Sequence, residues 1–159
     1  MIAIKHKTSG EVLYELSAIC LEAARFDGML LREAGFQKCV LNRAQFIRAD
    51  LEGADFSRSS LSGADLSGAN LLRANFQGAS LMRARLVKTD LGSSSLRNAS
   101  LFQADLTGAN LEGANLQGAD FDQADLTDAE LGGARYDRRT RWPSGVDPEE
   151  RGAVLSNET

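Results

Sequence analysis

Stepping through the chain by five from Leu21, every position as far as Tyr136 carries a large apolar side chain: 17 Leu, 6 Phe and 1 Tyr over 24 positions, with no slip of register. Two residues before these centres, from Ala24 to Ala134, 18 of 23 positions are Ala, the others being Met29, Cys39, Ser59, Thr89 and Ser94. The motif is small, polar, large, then two variable residues. A five-residue step turns an α-helix by about 500°, so the centres would march round the cylinder without forming a stripe. In a flat strand an odd step sends alternate centres to opposite faces. Ala and Leu two apart do share a face of an extended segment, so each pentad predicts a short strand followed by a corner. Repeated corners wind the chain into a coil.

Turn chemistry agrees. Nine glycines sit two residues after a centre, among them Gly63, Gly68 and Gly108, where a corner needs backbone freedom. Both prolines, Pro143 and Pro148, lie outside the repeat, as expected if stacked coils use every backbone N–H in ladders that proline cannot join. Phe36, Phe56 and Phe76 recur at 20-residue spacing, as do Phe26 and Phe46, which predicts stacked rings on two sides of a coil.

Runs such as Ala64-Asp65-Leu66-Ser67-Gly68, Ala109-Asn110-Leu111-Glu112-Gly113 and Ala114-Asn115-Leu116-Gln117-Gly118 resemble the pentapeptide-repeat family over about three quarters of the chain. The resemblance implies an all-β fold, a right-handed quadrilateral β-helix with four pentads per coil and the large and small residues facing the axis. Twenty-four pentads then make about six coils. At about 4.8 Å per coil the rod is about 29 Å long.

A solenoid must hide its end faces and strand edges. Residues 1–16 read as an N-terminal β-hairpin cap turning at Thr8-Ser9-Gly10, with Val12, Tyr14 and Leu16 on one face. The β-helix itself is expected over 17–137, and a C-terminal cap and tail over 138–159, all in one domain. Asp147-Pro148-Glu149-Glu150 predicts a short helix running through Leu155, with an N-cap carboxylate, proline in the first turn and acids at the positive end of the dipole. Trp142, Val146 and Val154 are the expected plug over Tyr136. The Tyr136-to-Glu150 stretch is similar to a C-terminal cap of many bacterial, particularly cyanobacterial, family members.

Composition adds exclusions. A net charge of −4 argues against nucleic acid as the main partner, because phosphate binding needs clustered cations. Two cysteines, Cys20 in an outward slot and Cys39 in an inward one, make no disulfide framework and fit a reducing compartment. No leader-like or membrane-length apolar run is present, so a cytoplasmic location is expected. The single histidine, His6, leaves no His-based triad or multi-His metal site. Asp105, Asp120, Asp122, Asp125, Asp128 and Glu130 are plentiful carboxylates, but their spacing follows the repeat, so a solvated face is favoured over a metal or acid–base site. No enzyme activity and no cofactor is expected.

What remains is surface. Residues 22–100 hold 11 Lys/Arg against 8 Asp/Glu, while residues 101–136 hold 1 against 7. Phe102 is the one Phe off the centre register; at 20 residues per coil Met82 lies directly beneath it, with Val87 on the neighbouring side and Leu72 close by, a candidate partner-binding patch. Arg43, Arg48, Arg83 and Lys88 project from corners and, with Asp105, Asp120, Asp122 and Asp125, form the candidate charged surface. The leading expectation is a non-enzymatic protein-interaction scaffold, monomeric or weakly dimeric, binding neither nucleic acid nor membrane. The alternative follows from the resemblance: some family members mimic duplex DNA, bind type II topoisomerases such as gyrase and affect quinolone sensitivity.

Overall fold

The computed structural model describes residues 2–16 and 21–156; Cys20 lies outside them. The pentads stack as the spacing predicts. Parallel bridges join residues twenty apart, from Arg25 with Gln45 to Asn115 with Arg135, so each coil takes four pentads. Each pentad contributes two rungs: the N–H of Phe26 donates to the carbonyl of Gln45 at 2.7 Å, and the N–H of Gln45 returns to the carbonyl of Ala24 at 2.8 Å. Ladders of this kind satisfy the backbone without long strands.

All 23 residues two positions after a centre, from Ala23 to Gly133, take positive φ, nine of them Gly at 64–69° and the rest at 53–60°. Regular left-handed corners keep the centres in register. A non-glycine residue there costs roughly 1 kcal/mol, and one column lowers the crowding by alternating glycine with longer residues, from Gly28 and Arg48 to Gly108 and Asp128. A Cβ at Gly68 would lie 3.5 Å from Cγ of Arg48, and one at Gly108 3.4 Å from Cγ of Lys88, so each cation's stem lies along the glycine of the next coil.

The axis is filled by the centres and the Ala slots, almost all fully buried. Phe26 stacks on Phe46 at 4.7 Å, and Phe36, Phe56 and Phe76 stack at 4.9 Å intervals with neighbouring columns edge to face at 5.7–5.8 Å. Polar intruders in the Ala slots find carbonyls: Ser59 donates to Phe56 O at 2.6 Å and Thr89 to Leu66 O at 2.9 Å. Cys39 is half-buried and unbridged, and burial raises its thiol pKa.

At the N-terminal end β1 (Ile2–Lys5) pairs antiparallel with β2 (Val12–Leu16). The hairpin docks through its turn: Gly35 donates to Lys5 O and Lys7 to Glu33 O, both at 2.8 Å, and Lys7 Nζ pairs with Glu33 at 2.8 Å. Ile4 is buried, but Val12 is 46% exposed rather than on the covering face. The register slips between Ile4 and Lys5, so Tyr14 and then Val12 find partners while Leu13 is skipped. Leu13 and Tyr14 pack on the core instead.

The C-terminal helix expected through Leu155 does not form. Asp147 does cap, accepting the N–H groups of Glu149 at 3.0 Å and Glu150 at 3.3 Å. The chain makes only turns over 148–152, and Gly152 at φ 82° redirects it. Val154–Leu155 (β4) then pairs parallel with Arg135–Tyr136 (β3), Val154 N donating to Ala134 O and Ser156 N to Tyr136 O. A helix of one or two turns has little stability of its own, whereas this extended segment satisfies the open edge of the last coil. Val154 is accordingly 52% exposed and is no plug; Ala153 is buried in its place. Trp142 lies over Phe121, not flat on Tyr136, which it meets edge to face at 5.6 Å. The cap is therefore a degraded further coil, lengthened by one residue: Arg141 bridges Asp120 twenty-one positions back.

Candidate functional site

The carboxylates singled out by sequence have structural work to do. Oδ1 of Asp105 accepts the N–H of Thr107 at 3.1 Å, that of Asp120 the N–H of Asp122 at 3.0 Å, and that of Asp125 the N–H of Thr127 at 2.9 Å. Asp65, Asn75 and Asn110 cap the same corner N–H in their pentads. The polar slot before each centre favours Asp or Asn because only a short side-chain oxygen reaches this donor. Asx ladders then link coils, Asn70 Nδ2 to Asp50 at 3.0 Å and Asn75 Nδ2 to Asp55 at 3.1 Å. The side-chain and backbone hydrogen bonds of Thr127 hold the Asp125 carboxyl below its ordinary range. Among the described residues no group of three His, Cys, Asp or Glu could hold a metal ion. Asp122 instead sits after a centre, where its carboxylate has a 3.5 Å contact from the Gln123 side-chain amide.

The four corner cations divide by environment. Arg43 pairs with Glu22 of the adjacent column in the preceding coil at 2.8 Å, and Arg83 Nε donates to Gln103 at 2.9 Å, one coil along its own column. Arg48 and Lys88 extend over Gly68 and Gly108. The apolar candidates fall on three sides of the coil. Met82 and Phe102 occupy consecutive places in one column, with the N–H of Arg83 donating to the carbonyl of Phe102 at 2.9 Å. Met82 is 39% exposed, while Phe102, Leu72 and Val87 are half-buried. Val87 is one side on and Leu72 is on the side opposite Met82, where its Cδ1 leans over Gly92.

Sequence reasoning passed over Leu30, 80% exposed, and Val40, 54% exposed. Their signal was present: both stand in the slot before a centre that other pentads fill mostly with Asp, Asn or Ser. It also passed over Asp137, which caps the last coil. Its carboxylate accepts from Gly118 N, Arg139 N and Thr140 N at 3.0–3.1 Å and pairs with the Arg139 guanidinium at 2.8 Å. Burial alone would raise its pKa, but the Arg139 bond and the backbone donors prevail and hold it at about 2.

Residues 19–58, 59–98 and 104–135 match the model of pentapeptide repeats in eight copies. The chain belongs to the pentapeptide-repeat family. Its coils are similar to those of QnrB1, a plasmid-mediated fluoroquinolone resistance protein. One trypsin-treated form is 24% identical at a TM-score of 0.75, over 84% of this chain and 67% of that one. A second is 26% identical at the same TM-score, over 84% and 65%. This pentapeptide-repeat chain thus spans about two thirds of the length of QnrB1. It is also similar to alr5209, a pentapeptide repeat protein from Nostoc Pcc 7120, at 37% identity over 72% of this chain and 86% of that one, with a TM-score of 0.35. No curated protein matches it. Among the described residues no helix is long and apolar enough to cross a membrane.

Proposed function

We propose that this pentapeptide-repeat protein is a rigid rod that binds another protein, and that the surface it fits is the cationic DNA-binding surface of a type II topoisomerase. In this reading it is a cytoplasmic right-handed quadrilateral β-helix of about six coils, closed by the hairpin and the degraded last coil, acting as a monomer or weak dimer. The likeness of its coils to those of a fluoroquinolone resistance protein supports the reading. The observation that carries it is one acidic side.

Residues 27–33, 47–53, 67–73, 87–93, 107–113 and 127–133 form one side of successive coils and hold eight Asp/Glu against four Lys/Arg. Asp50, Asp90 and Glu130 stand in one column, two coils or about 9.6 Å apart. Fixed carboxylates on a frame with few loops lose little conformational entropy on binding, and they oppose a surface built for phosphates. The test is inhibition of gyrase supercoiling, and protection of gyrase from quinolones, by micromolar purified protein. Inhibition that weakens when Glu52, Glu112 and Glu130 are changed to Gln supports the reading; no inhibition and no protection removes it.

A second reading is favoured by the exposure of Met82 beneath the half-buried Phe102: the apolar column is the contact for a different partner. Capture experiments comparing the wild type with Met82→Asp/Phe102→Asp decide it, since identical captured proteins eliminate the patch.

A further inference from the structure

The coil sorts charge across the rod as well as along it. Residues 37–43, 57–63, 77–83, 97–103 and 117–123, continued by 137–144 of the cap, form the side opposite the acidic one. They hold eight Lys/Arg against three Asp. A chain of net charge −4 therefore has one side of net +5 turned away from one of net −4. Linear counting hides this, because the two sides alternate every ten residues.

The basic side has the form of a channel. Lys38, Arg58 and Arg97 stand along one edge, and Arg43 and Arg83 along the other. The floor between them is Val40, Ser60, Ser80 and Ser100, small residues in the slot that elsewhere often holds Asp. No acid interrupts the channel before Asp120. Among the described residues only Arg43 of these five cations has a carboxylate within reach, Glu22. Nε of Arg97 is buried and has no hydrogen-bond partner among the described residues. Ser62, Gly63, Met82 and Arg83 line a largely apolar notch of about 330 Å³ at one edge, open because Gly63 places no side chain between Arg43 and Arg83.

We propose that this side binds an extended acidic segment of a partner protein, its carboxylates between the two cation edges and one apolar side chain in the Met82 notch. Charge complementarity selects the anion, and guanidinium groups with no carboxylate partner among the described residues supply charge-assisted, often bidentate hydrogen bonds to carboxylates. The apolar content selects a peptide over a phosphate backbone, since exposed Val40 and Met82 offer a polynucleotide backbone nothing to pair with. The channel from Lys38 to Arg97 covers three coil steps, about 14 Å, the span of four or five extended residues. The topoisomerase reading uses the opposite side, so either can fail without the other.

The test uses a fluorescein-labelled peptide of Glu residues with a central Leu, followed by fluorescence anisotropy at low salt. Arg58→Asn, Arg83→Gln and Arg97→Gln together replace three channel cations with residues their own columns already hold, Asn98, Gln103 and Gln77. Arg48→Gly, Arg73→Gly and Lys88→Gly remove the same net charge from corners of the acidic side. The expected result is roughly tenfold weaker peptide binding in the first variant, with the second within about twofold of wild type and gyrase inhibition unchanged in the first. Equal loss in both variants, or no binding by the wild type, overturns the proposal. So does tighter binding of a single-stranded oligonucleotide of equal charge through the same three residues.

Discussion

The indole of Trp142 lies on the ring of Phe121, centroids 5.2 Å apart and planes 7° from parallel, although the repeat would place its partner at 141. The extra residue is absorbed at Asp137–Thr140, where Thr140 enters the small slot and donates to Leu116 O at 3.0 Å, much as Thr89 does inside the repeat. Trp142 thus continues the column of centres and closes the end of the rod. Among the described residues its Nε1 has no hydrogen-bond partner. Trp142→Phe is therefore expected to retain most of the stability. Trp142→Ala should cost about 3 kcal/mol, and first in the last coil. Thermal melts with amide exchange over 121–156 check both; equal melts for the two variants contradict the stacked closure.

Asp137 makes that closure sensitive to acid. Its carboxylate is buried, yet held at about 2 against an ordinary 3.8, by Arg139 and by the N–H groups it caps. A lowered folded-state pKa means that the unfolded chain binds the proton more readily. The contribution is complete above about pH 4 and disappears as pH falls from there to about 2, some 2 kcal/mol in all. Asp137→Asn should melt lower at pH 7 and show a smaller loss between pH 4 and 2. A wild type and variant with parallel stability profiles over that window would contradict the assignment.

The run from Leu21 to Tyr136 made the inward register and the winding legible in the sequence, because one uninterrupted period must bury every centre on one axis. Four pentads per coil came from the family resemblance, and the twenty-residue spacing of Phe36, Phe56 and Phe76 agreed with it. The ends were less legible. Asp147-Pro148-Glu149-Glu150 carries a real start signal, and Asp147 does cap, but local propensity lost to the unpaired carbonyls of Ala134 and Tyr136, which no local pattern reveals. The surface was legible only in part. Met82 beneath Phe102 followed from adding twenty, whereas the channel between Arg58 and Arg83 requires knowing which four sides the pentads occupy. Asp105 and Asp125 looked like available acids because a cap and a free carboxylate are spelled alike.

Leu71 and Leu72 test the register with one substitution each. Leu71 is fully buried at a centre, and Leu72 lies beside it on the outer surface, half-buried against Gly92. Leu71→Lys places an unpaired charge on the axis and should cost more than 3 kcal/mol, enough to unfold much of the rod. Leu72→Lys keeps its backbone donor to Asn70 and should shift stability by less than about 1 kcal/mol. Similar denaturation midpoints for the two would refute the inward assignment.

Asp105 separates capping from charge. Its Oδ1 accepts both the N–H and the hydroxyl of Thr107, at 3.1 and 2.7 Å, and Asn retains an oxygen in the same place. Four other pentads place Asn before the centre, those of Asn70, Asn75, Asn110 and Asn115. Asp105→Asn should therefore change stability by less than about 0.5 kcal/mol, and Asp105→Ala should cost about 1 kcal/mol, the usual loss when a side-chain cap is removed. The same pair at Asp125 should behave alike and also reveal the carboxyl's lowered pKa: the stability that Asp125 adds is complete above its ordinary 3.8 and is lost on acidification below it, in the wild type only. Urea midpoints at pH 7 and pH 3 measure both effects. If Asn proved as damaging as Ala, the negative charge rather than the acceptor would matter, and the polar slot of the repeat would need an electrostatic explanation instead of a geometric one.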